Sequence, residues 1–274
     1  MGTDNSSSSS SEPSPLAVRR VTYDKLILFG DSLTELSSDV LSLSFALTPA
    51  LQHHYFRKLA VVARGYGGYN SEHLRHVLLP TLRAETAAGE RIRLLVLEVG
   101  TNDASMNEMQ CVPVESYVKN LRWMVEQARA VGVERVIVVG PGPVDERRLA
   151  SPVENRTMRN LEYDEAARAV SEQCGVPFVD MWLALLLKTG WKPGQAVPGK
   201  QESGGGDGLG SLLTDGVHLS GCGYRIWYKE LLKTIREKFP DLRSEALPTV
   251  LPHIYDVDRN NLPDTLWQEV RVKQ

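Results

Sequence analysis

The sequence predicts an α/β fold in which five parallel strands lie between two layers of helices. Short apolar runs recur along the chain, and longer segments with helical spacing of their apolar residues separate them. This alternation is typical of parallel strands joined by crossover helices. With 274 residues and 42% hydrophobic side chains, the chain is long enough to bury one substantial core. We therefore expect a three-layer α/β/α sandwich.

Five apolar runs are the predicted strands. They are short and dominated by Leu, Ile, Val and Ala, as strands of a parallel sheet are. Right-handed crossovers between them place helices on both faces of the sheet. The predicted strands are 26–29, 59–63, 92–99, 135–139 and 177–180.

Four amphipathic segments are the predicted helices. The second and third are followed by Gly132 and Gly175, and glycine is the usual residue just past a helix end. The four segments are 71–88, 114–131, 156–173 and 221–238.

The remaining segments define the predicted domain organisation. Residues 1–20 are rich in Ser and Pro, with too few apolar side chains to offset the entropy of ordering them, so this arm is predicted to be disordered. Residues 21–274 form a single predicted domain. Within it, the Gly/Pro-rich segment 192–211 is a predicted flexible loop, and the tail 240–274 is predicted to wrap against the domain because it keeps apolar residues.

Composition narrows the classes of partner and location. The chain has 31 Lys+Arg against 34 Asp+Glu, without the basic excess that nucleic-acid binding requires. Its three cysteines are far apart and predict neither disulfides nor a metal knuckle. The N-terminus lacks the apolar stretch of a signal peptide, and no run of 18 apolar residues follows. These features predict a cytoplasmic protein without stable membrane insertion; they do not indicate an oligomeric state.

Residues that carry chemistry follow three of the predicted strands. Ligands of parallel α/β sheets bind beyond the carboxyl ends of the strands. Ser32 follows the first strand, a glycine-rich segment containing Gly68 follows the second, and Asn102 follows the third. We therefore expect these three residues to share one edge of the sheet.

A second group of candidate residues precedes the last predicted helix. A serine hydroxyl needs a base to act as a nucleophile, and the base needs an acid that holds its tautomer. Asp215 and His218 are three residues apart, close enough for one turn to bring both side chains together. An ester hydrolase also needs donors for an oxyanion, and the candidates are the N–H of Ser32, the backbone at Gly68 and the amide of Asn102.

Four segments resemble the sequence blocks of the GDSL, or SGNH-hydrolase, family. LILFGDSLTE, RGYGGYNS, VGTND and TDGVHLSGCGY resemble its serine, glycine, asparagine and Asp-x-x-His blocks in the family's order. The resemblance extends from about Tyr23 to about Asp264. FPDL and LPTVLPHIYDVDRNN further resemble the isoamyl acetate-hydrolysing esterase branch of that family.

The resemblance implies a flavodoxin-like sandwich that needs no cofactor. No metal is predicted either, because no third ligand stands near His73 and His76. The resemblance also implies Ser32 as nucleophile, His218 as base and Asp215 as its orienting acid. Ser32, Gly68 and Asn102 would form the oxyanion hole, with Asp31 and Asp103 as supporting residues.

Two positions depart from that branch. Ala63 replaces an asparagine, and Glu98 replaces an aromatic or aliphatic residue at a strand end. Glu98 is predicted either to be a buried carboxyl with a shifted pKa or to pair with an arginine such as Arg64.

Several functions stay open at this stage. The leading hypothesis is a serine esterase that hydrolyses small or short-chain carboxylic esters through an acyl-enzyme. A sugar deacetylase or a lysophospholipase would use the same triad, and a catalytically silent binding protein would keep the same fold.

Two further groups of polar residues are not expected to form sites. His73 and His76 share a helical face but lack a third metal ligand nearby. The acidic and basic side chains of 146–148 are expected to face solvent.

Overall fold

A computed structural model describes residues 21–150, 155–201 and 208–267. The predicted disordered arm, residues 1–20, lies outside the described residues, so its disorder stays a prediction. Within the described part of the chain, no helix has both the length and the apolar character needed to cross a membrane.

Five parallel strands form one sheet in the order β2-β1-β3-β4-β5. This is the strand order of flavodoxin-like folds, whose ligand site lies where the order reverses, between β1 and β3. Strand β1, between β2 and β3, is buried along almost its whole length, because neighbouring strands flank it and helices cover both of its faces. The strands are β1 Lys25–Gly30, β2 Ala60–Gly65, β3 Ile92–Glu98, β4 Val136–Val139 and β5 Phe178–Val179.

Helices connect the strands and follow the last of them. Gly175 ends α5 in the left-handed conformation, at φ 61°, as the sequence predicts for a C-terminal glycine. The helices are α1 Ser32–Glu35, α2 Leu47–His54, α3 Ser71–Glu85, α4 Val114–Ala130, α5 Arg156–Cys174, α6 Met181–Lys188, α7 Gly221–Lys238 and α8 Leu262–Thr265. Short 3₁₀ turns add Leu36–Ser38, Glu146–Arg148, Pro240–Leu242, Ser244–Ala246 and Ile254–Asp256.

The sheet separates two hydrophobic cores. Alternate residues of β1 point to opposite faces, so Leu26 and Leu28 pack with α2, α6 and α7, whereas Ile27 and Phe29 pack with α3, α4 and α5. Trp227 of α7 lies fully inside the first core. The three-layer α/β/α sandwich predicted from the sequence is confirmed.

The element boundaries differ from the prediction at several ends. β2 was expected to end at residue 63, but it continues through Arg64 and Gly65 because both residues pair with the end of β1. A Cβ on Gly65 would lie 2.0 Å from the backbone nitrogen of Glu35, so this strand passes against α1 at a distance that only glycine allows. α3 ends at Glu85, three residues before its predicted end.

Two helices of eight residues, α2 and α6, were not predicted. The α6 segment MWLALLLK has almost no polar face, so it has no helical period to detect. It forms a helix because the protein interior covers one side of it, where Leu185 and Leu186 are completely buried. Asp180, predicted as the end of the last strand, instead caps this helix by accepting a hydrogen bond from Leu183 N at 2.7 Å.

The loop and the tail contact the domain at defined points. Within the predicted flexible loop, Gly199 O accepts a hydrogen bond from Glu146 N at 2.8 Å, and Gln201 N donates to the Glu146 carboxylate at 3.0 Å. In the tail, Leu242 is buried and its carbonyl accepts from the Tyr55 hydroxyl at 3.0 Å. Residues 202–207 of the loop and 268–274 of the tail lie outside the described part.

Candidate active site

Ser32, His218 and Asp215 form a continuous chain of hydrogen bonds. Ser32 Oγ lies 2.9 Å from His218 Nε2, and His218 Nδ1 lies 2.6 Å from Asp215 Oδ2. The serine and the histidine are 186 residues apart in the sequence. The structure therefore brings together the three residues that the sequence predicted as a triad.

The turn after β1 presents Ser32 at the sheet edge. Ser32 is the first residue of α1, whose N-cap Asp31 accepts a hydrogen bond from Leu33 N at 2.9 Å. Gly30 precedes this turn, and a Cβ there would lie 2.3 Å from the carbonyl oxygen of Glu98. Strands β1 and β3 thus approach closely directly beneath the serine.

A tight loop before α7 holds Asp215 and His218. Thr214 N donates to His218 O at 2.8 Å, and Gly216 takes a φ of 98°, which favours glycine. Asp215 Oδ1 accepts the N–H groups of Val217 and His218, each at 2.9 Å. These bonds close the loop so that the carboxylate reaches the imidazole from three residues away.

Hydrogen bonds to Asp215 lower its pKa. Partial burial of the carboxyl is the largest influence and by itself raises the pKa, but the His218 ring and the N–H groups of His218 and Val217 together outweigh it. The pKa of Asp215 consequently lies below its usual value, and the residue is ionised at neutral pH. An ionised carboxylate can accept the N–H of the imidazole.

Arg148 is a site-supporting residue that sequence reasoning missed. Its guanidinium donates to the carbonyls of Leu213 at 3.0 Å and Thr214 at 2.6 Å, on the loop that carries Asp215.

Glu146 is buried and accepts a hydrogen bond from Thr157 N at 2.8 Å. The expectation that residues 146–148 form a solvated face is therefore wrong for Glu146, because its buried carboxylate accepts hydrogen bonds from backbone N–H groups of two other segments.

The three predicted oxyanion residues face one cleft with Ser32 and His218. The cleft has a volume of about 600 Å³, and Gly68 and Asn102 line it. Gly68 takes the left-handed conformation, at φ 78°. Asn102 Nδ2 donates one hydrogen bond to Tyr69 O at 2.9 Å, and its second N–H has no partner recorded within the described residues.

Asp103, a predicted supporting residue, connects β3 to α3. Its buried carboxyl accepts the N–H of Ser71 through both oxygens, at 3.1 and 3.0 Å. Burial raises the pKa of Asp103 to about 7, although the bonds from Ser71 oppose the rise. Asp103 thus fixes the loop that carries Asn102 to the first residue of α3.

Glu35 holds the glycine-rich loop from the other side. Its carboxylate accepts the N–H of Gly67 at 2.5 Å, next to Gly68. Ala63, at the position where the resembled branch often has an asparagine, is partly buried against the core. Glu35 thus provides a side-chain contact to the loop that does not depend on position 63.

Glu98 is buried beside Asp31, directly below the serine turn. Both side chains are inaccessible to solvent, and Glu98 Oε2 accepts from Thr34 Oγ1 at 3.1 Å. Asp31 Oδ2 and Glu98 Oε1 have no N–H or O–H donor within the described residues. A proton held between the two carboxyls would satisfy both oxygens.

Burial and the Asp31 charge raise the pKa of Glu98 well above its usual range. Burial also raises the pKa of Asp31, to about 6, with the N–H of Leu33 opposing the rise. Glu98 is therefore the protonated member of the pair. The prediction of a buried carboxyl with a shifted pKa describes Glu98; the alternative partner Arg64 is wrong, since Arg64 pairs with Glu85.

Glu98→Gln is expected to stabilise the protein at alkaline pH, because glutamine resembles the protonated acid. The folded pKa of Glu98 lies above the unfolded value, so the wild type loses stability as pH rises from the unfolded towards the folded pKa, by about 1.4 kcal/mol per pH unit at most. Thermal unfolding from pH 5 to 9 should show a Tm advantage of the variant that grows with pH. Glu172→Gln, on the exposed surface, is the control and should show no such trend. An unchanged pH dependence in Glu98→Gln would contradict the proton assignment.

The sequence of the chain matches the model of one protein family. The model of the GDSL-like lipase/acylhydrolase family matches residues 28–226. The chain belongs to the GDSL-like lipase/acylhydrolase family. The match covers three of the four blocks that predicted this family and all but the first two residues of the serine block, and the predicted membership is confirmed.

Named GDSL relatives include esterases from fungi and plants. The isoamyl acetate-hydrolyzing esterase of Saccharomyces cerevisiae is 32% identical over 248 residues, which cover 86% of this chain and 95% of the relative. A GDSL esterase/lipase of Arabidopsis thaliana is also 32% identical, over 85% of this chain and 94% of the relative. The predicted similarity to the isoamyl acetate-hydrolysing branch is confirmed.

Solved structures of distant relatives share the GDSL fold. A lipase/acylhydrolase from Enterococcus faecalis superposes with a TM-score of 0.57 at 24% identity, over 78% of this chain and 96% of that protein. An acetylxylan esterase from Geobacillus stearothermophilus gives 0.56 at 19% identity, over 77% and 94%. At these identities the likeness supports the fold, and substrate choice has to be argued from the site.

Proposed function

We propose that this GDSL protein is a serine esterase that hydrolyses small or short-chain carboxylic esters through an acyl-enzyme. The observation that carries the proposal is the hydrogen-bond chain from Ser32 through His218 to Asp215, at 2.9 and 2.6 Å, which opens into the cleft. A hydroxyl, a base and an orienting carboxylate in this sequence match the requirements of nucleophilic acyl transfer.

In the proposed acylation, Ser32 Oγ attacks the ester carbonyl carbon while its proton passes to His218 Nε2. The carbonyl oxygen becomes an oxyanion near the N–H groups of Ser32, Gly68 and Asn102. The bond between the carbonyl carbon and the alcohol oxygen then breaks, and His218 returns the proton to the leaving alcohol. Water repeats the sequence on the acyl-enzyme and releases the acid.

A small cavity supports a short acyl group. It lies next to the cleft, with Val217 lining both, and has a volume of about 20 Å³. Leu33, Leu213 and Met181 contribute to its apolar wall. A space of this size holds about one water-sized group, such as the methyl group of an acetyl ester.

Hydrolysis of p-nitrophenyl esters from acetate to laurate tests the substrate class. We expect kcat/KM to be highest for acetate and to fall as the chain lengthens, because a cavity of about 20 Å³ does not hold a long chain. Acetylated xylo-oligosaccharides and lysophosphatidylcholine test the rival deacetylase and lysophospholipase activities. A higher kcat/KM for laurate, or for either rival substrate, would contradict the proposed preference.

A catalytically silent binding protein of the same fold is the rival from another class. It would hydrolyse no ester and would not react with a serine-directed fluorophosphonate. The proposal instead requires labelling of Ser32, located by mass spectrometry of the labelled peptide. Cytoplasmic location stays a prediction.

Asn102→Ala is expected to lower kcat by ~10²- to 10³-fold with little change in KM, because the lost hydrogen bond strengthens only as the oxyanion forms. Steady-state kinetics with p-nitrophenyl acetate provide the measurement, and thermal unfolding checks the fold. Asn260→Ala, at an exposed asparagine outside the cleft, is the control and should keep wild-type kinetics. A raised KM at constant kcat would show that Asn102 is a ground-state contact.

A further inference from the structure

Gln110 lies between the two loops that carry the proposed oxyanion residues. Its side-chain amide Nε2 is 3.2 Å from Gly68 O and 3.2 Å from Asn102 Oδ1. One amide nitrogen therefore donates to the loop after β2 and to the loop after β3. The backbone carbonyl of Gln110 also accepts from Asn70 Nδ2 at 2.8 Å, which connects the residue to the N-cap of α3.

The contact between Gln110 and Asn102 fixes the orientation of the Asn102 side-chain amide, that is, which side carries the oxygen and which the nitrogen. A primary amide has nearly the same shape when it is turned by half a rotation, but the turn exchanges a donor for an acceptor. In the structure, Asn102 Oδ1 accepts from Gln110 while Asn102 Nδ2 donates to Tyr69 O at 2.9 Å. A turned amide would place N–H against N–H and oxygen against oxygen, so the two partners favour one orientation.

The contact with Gly68 restrains the second element. Gly68 has a φ of 78°, and glycine without a restraint moves readily between conformations. A Cβ on Gly68 would lie 3.6 Å from Gln110 Nε2, an ordinary contact, so the left-handed φ and not a lack of space favours glycine here. The bond to its carbonyl limits rotation of the backbone at Gly68.

Gln110 itself is fixed by a turn of the backbone. Gln110 N and Cys111 N both donate to Asn107 O, at 2.9 and 2.8 Å, and Val112 N donates to Asp103 O at 3.1 Å. The residue is half-buried at the cleft wall. A side chain held in this way can orient its neighbours before substrate arrives, which is what preorganised stabilisation of a developing charge requires.

We infer that Gln110 is a positioning residue that orients Asn102 and Gly68 jointly as oxyanion donors. The inference rests on the proposed esterase function. Gln110 acts through its two neighbours, and its removal allows the Asn102 amide to turn and the Gly68 backbone to move. The loss appears in the step where charge develops and not in substrate binding.

Two variants separate donation from size. Gln110→Met keeps the length of the side chain but donates no hydrogen bond, and we expect it to lower kcat by at least ~10-fold, up to the ~10³-fold limit for loss of a donor, with KM little changed. Gln110→Glu keeps the shape but places a carboxylate against Gly68 O and Asn102 Oδ1, so kcat should fall further. Gln127→Met and Gln127→Glu, at a residue of α4 that is half-buried like Gln110, are matched controls and should retain wild-type kinetics.

A double-mutant cycle with Asn102→Ala tests whether Gln110 acts through Asn102. Gln110→Met should cost much less in the Asn102→Ala background than in the wild type, because the amide that it orients is already absent. The remaining loss measures the share that passes through Gly68. If Gln110→Met does not fold, the same cycle is measured with Gln110→Glu.

Three results would overturn the inference. These are equal losses in both backgrounds, a rise in KM at constant kcat, and wild-type kinetics in Gln110→Glu. They are distinguishable from failure of the proposed function. If the wild-type protein hydrolyses no ester and Ser32 takes no label, the esterase proposal fails; if the wild type is active and only the Gln110 results disagree, the positioning role alone fails.

Discussion

Ser32→Ala is expected to lower kcat for p-nitrophenyl acetate by a factor on the order of 10⁶, because a triad without its nucleophile loses nearly all of its catalysis. Without the hydroxyl, no acyl-enzyme forms, and only substrate binding and the oxyanion donors remain to accelerate attack by water. The variant should fold normally, because Ser32 begins α1 at the solvent-facing end of the sheet and the cap is supplied by Asp31. Residual turnover and fluorophosphonate labelling are the two measurements.

The matched control is Ser116→Ala on α4, a serine whose side chain makes no hydrogen bond to any other described residue. It should keep full activity and full labelling, whereas Ser32→Ala should lose both. If Ser32→Ala retained more than about a hundredth of wild-type kcat, which is far above the residual expected from binding and oxyanion donors alone, nucleophilic attack by Ser32 would be excluded.

Asp215→Asn is expected to lower kcat by about 10⁴-fold. The asparagine amide would donate to His218 Nδ1, which now lies 2.6 Å from the carboxylate. The ring proton of His218 would then reside on Nε2, so the imidazole could not accept the proton of Ser32. The measurement is kcat across pH 6 to 9, with KM and Tm determined in parallel.

Asp256→Asn, an exposed substitution of the same type, should leave kcat unchanged. The Asp215 loop should persist in Asp215→Asn, because the asparagine oxygen can still accept the N–H groups of Val217 and His218. A loss of less than ~10-fold would show that the carboxylate does not control the histidine tautomer, since a wrong tautomer costs orders of magnitude more.

Features written in local sequence were predictable. Runs such as 26–29 predict strands, because a parallel strand covered on both faces needs consecutive apolar residues. Ser32, Asp215 and His218 were identifiable because each stands in a short block directly after a strand or before a helix, where ligand sites of this fold form. Asn102 and Gly68 were found in the same way.

Features that depend on partners distant in sequence were not predictable. Glu98 could have paired with Arg64, but the parallel register puts Gly30 opposite Glu98 and so brings Asp31 against its carboxyl. Arg64 instead forms an ion pair with Glu85, the last residue of α3. Strand register, which follows from the packing of whole layers, decided between the two partners.

The sequence by itself determined the α/β class, the family and the three residues proposed as the triad, because these follow from the local order of apolar runs and polar blocks. Only the tertiary structure decided that α6 is a helix, that Arg148 holds the Asp215 loop and that Gln110 connects the two loops that carry the proposed oxyanion residues. These contacts join segments that lie far apart in the chain or that have no sequence period, and they exist only once the sheet has brought the strand ends together. The physical reason is that hydrogen bonds and burial are set by neighbours in space, which a one-dimensional pattern does not contain.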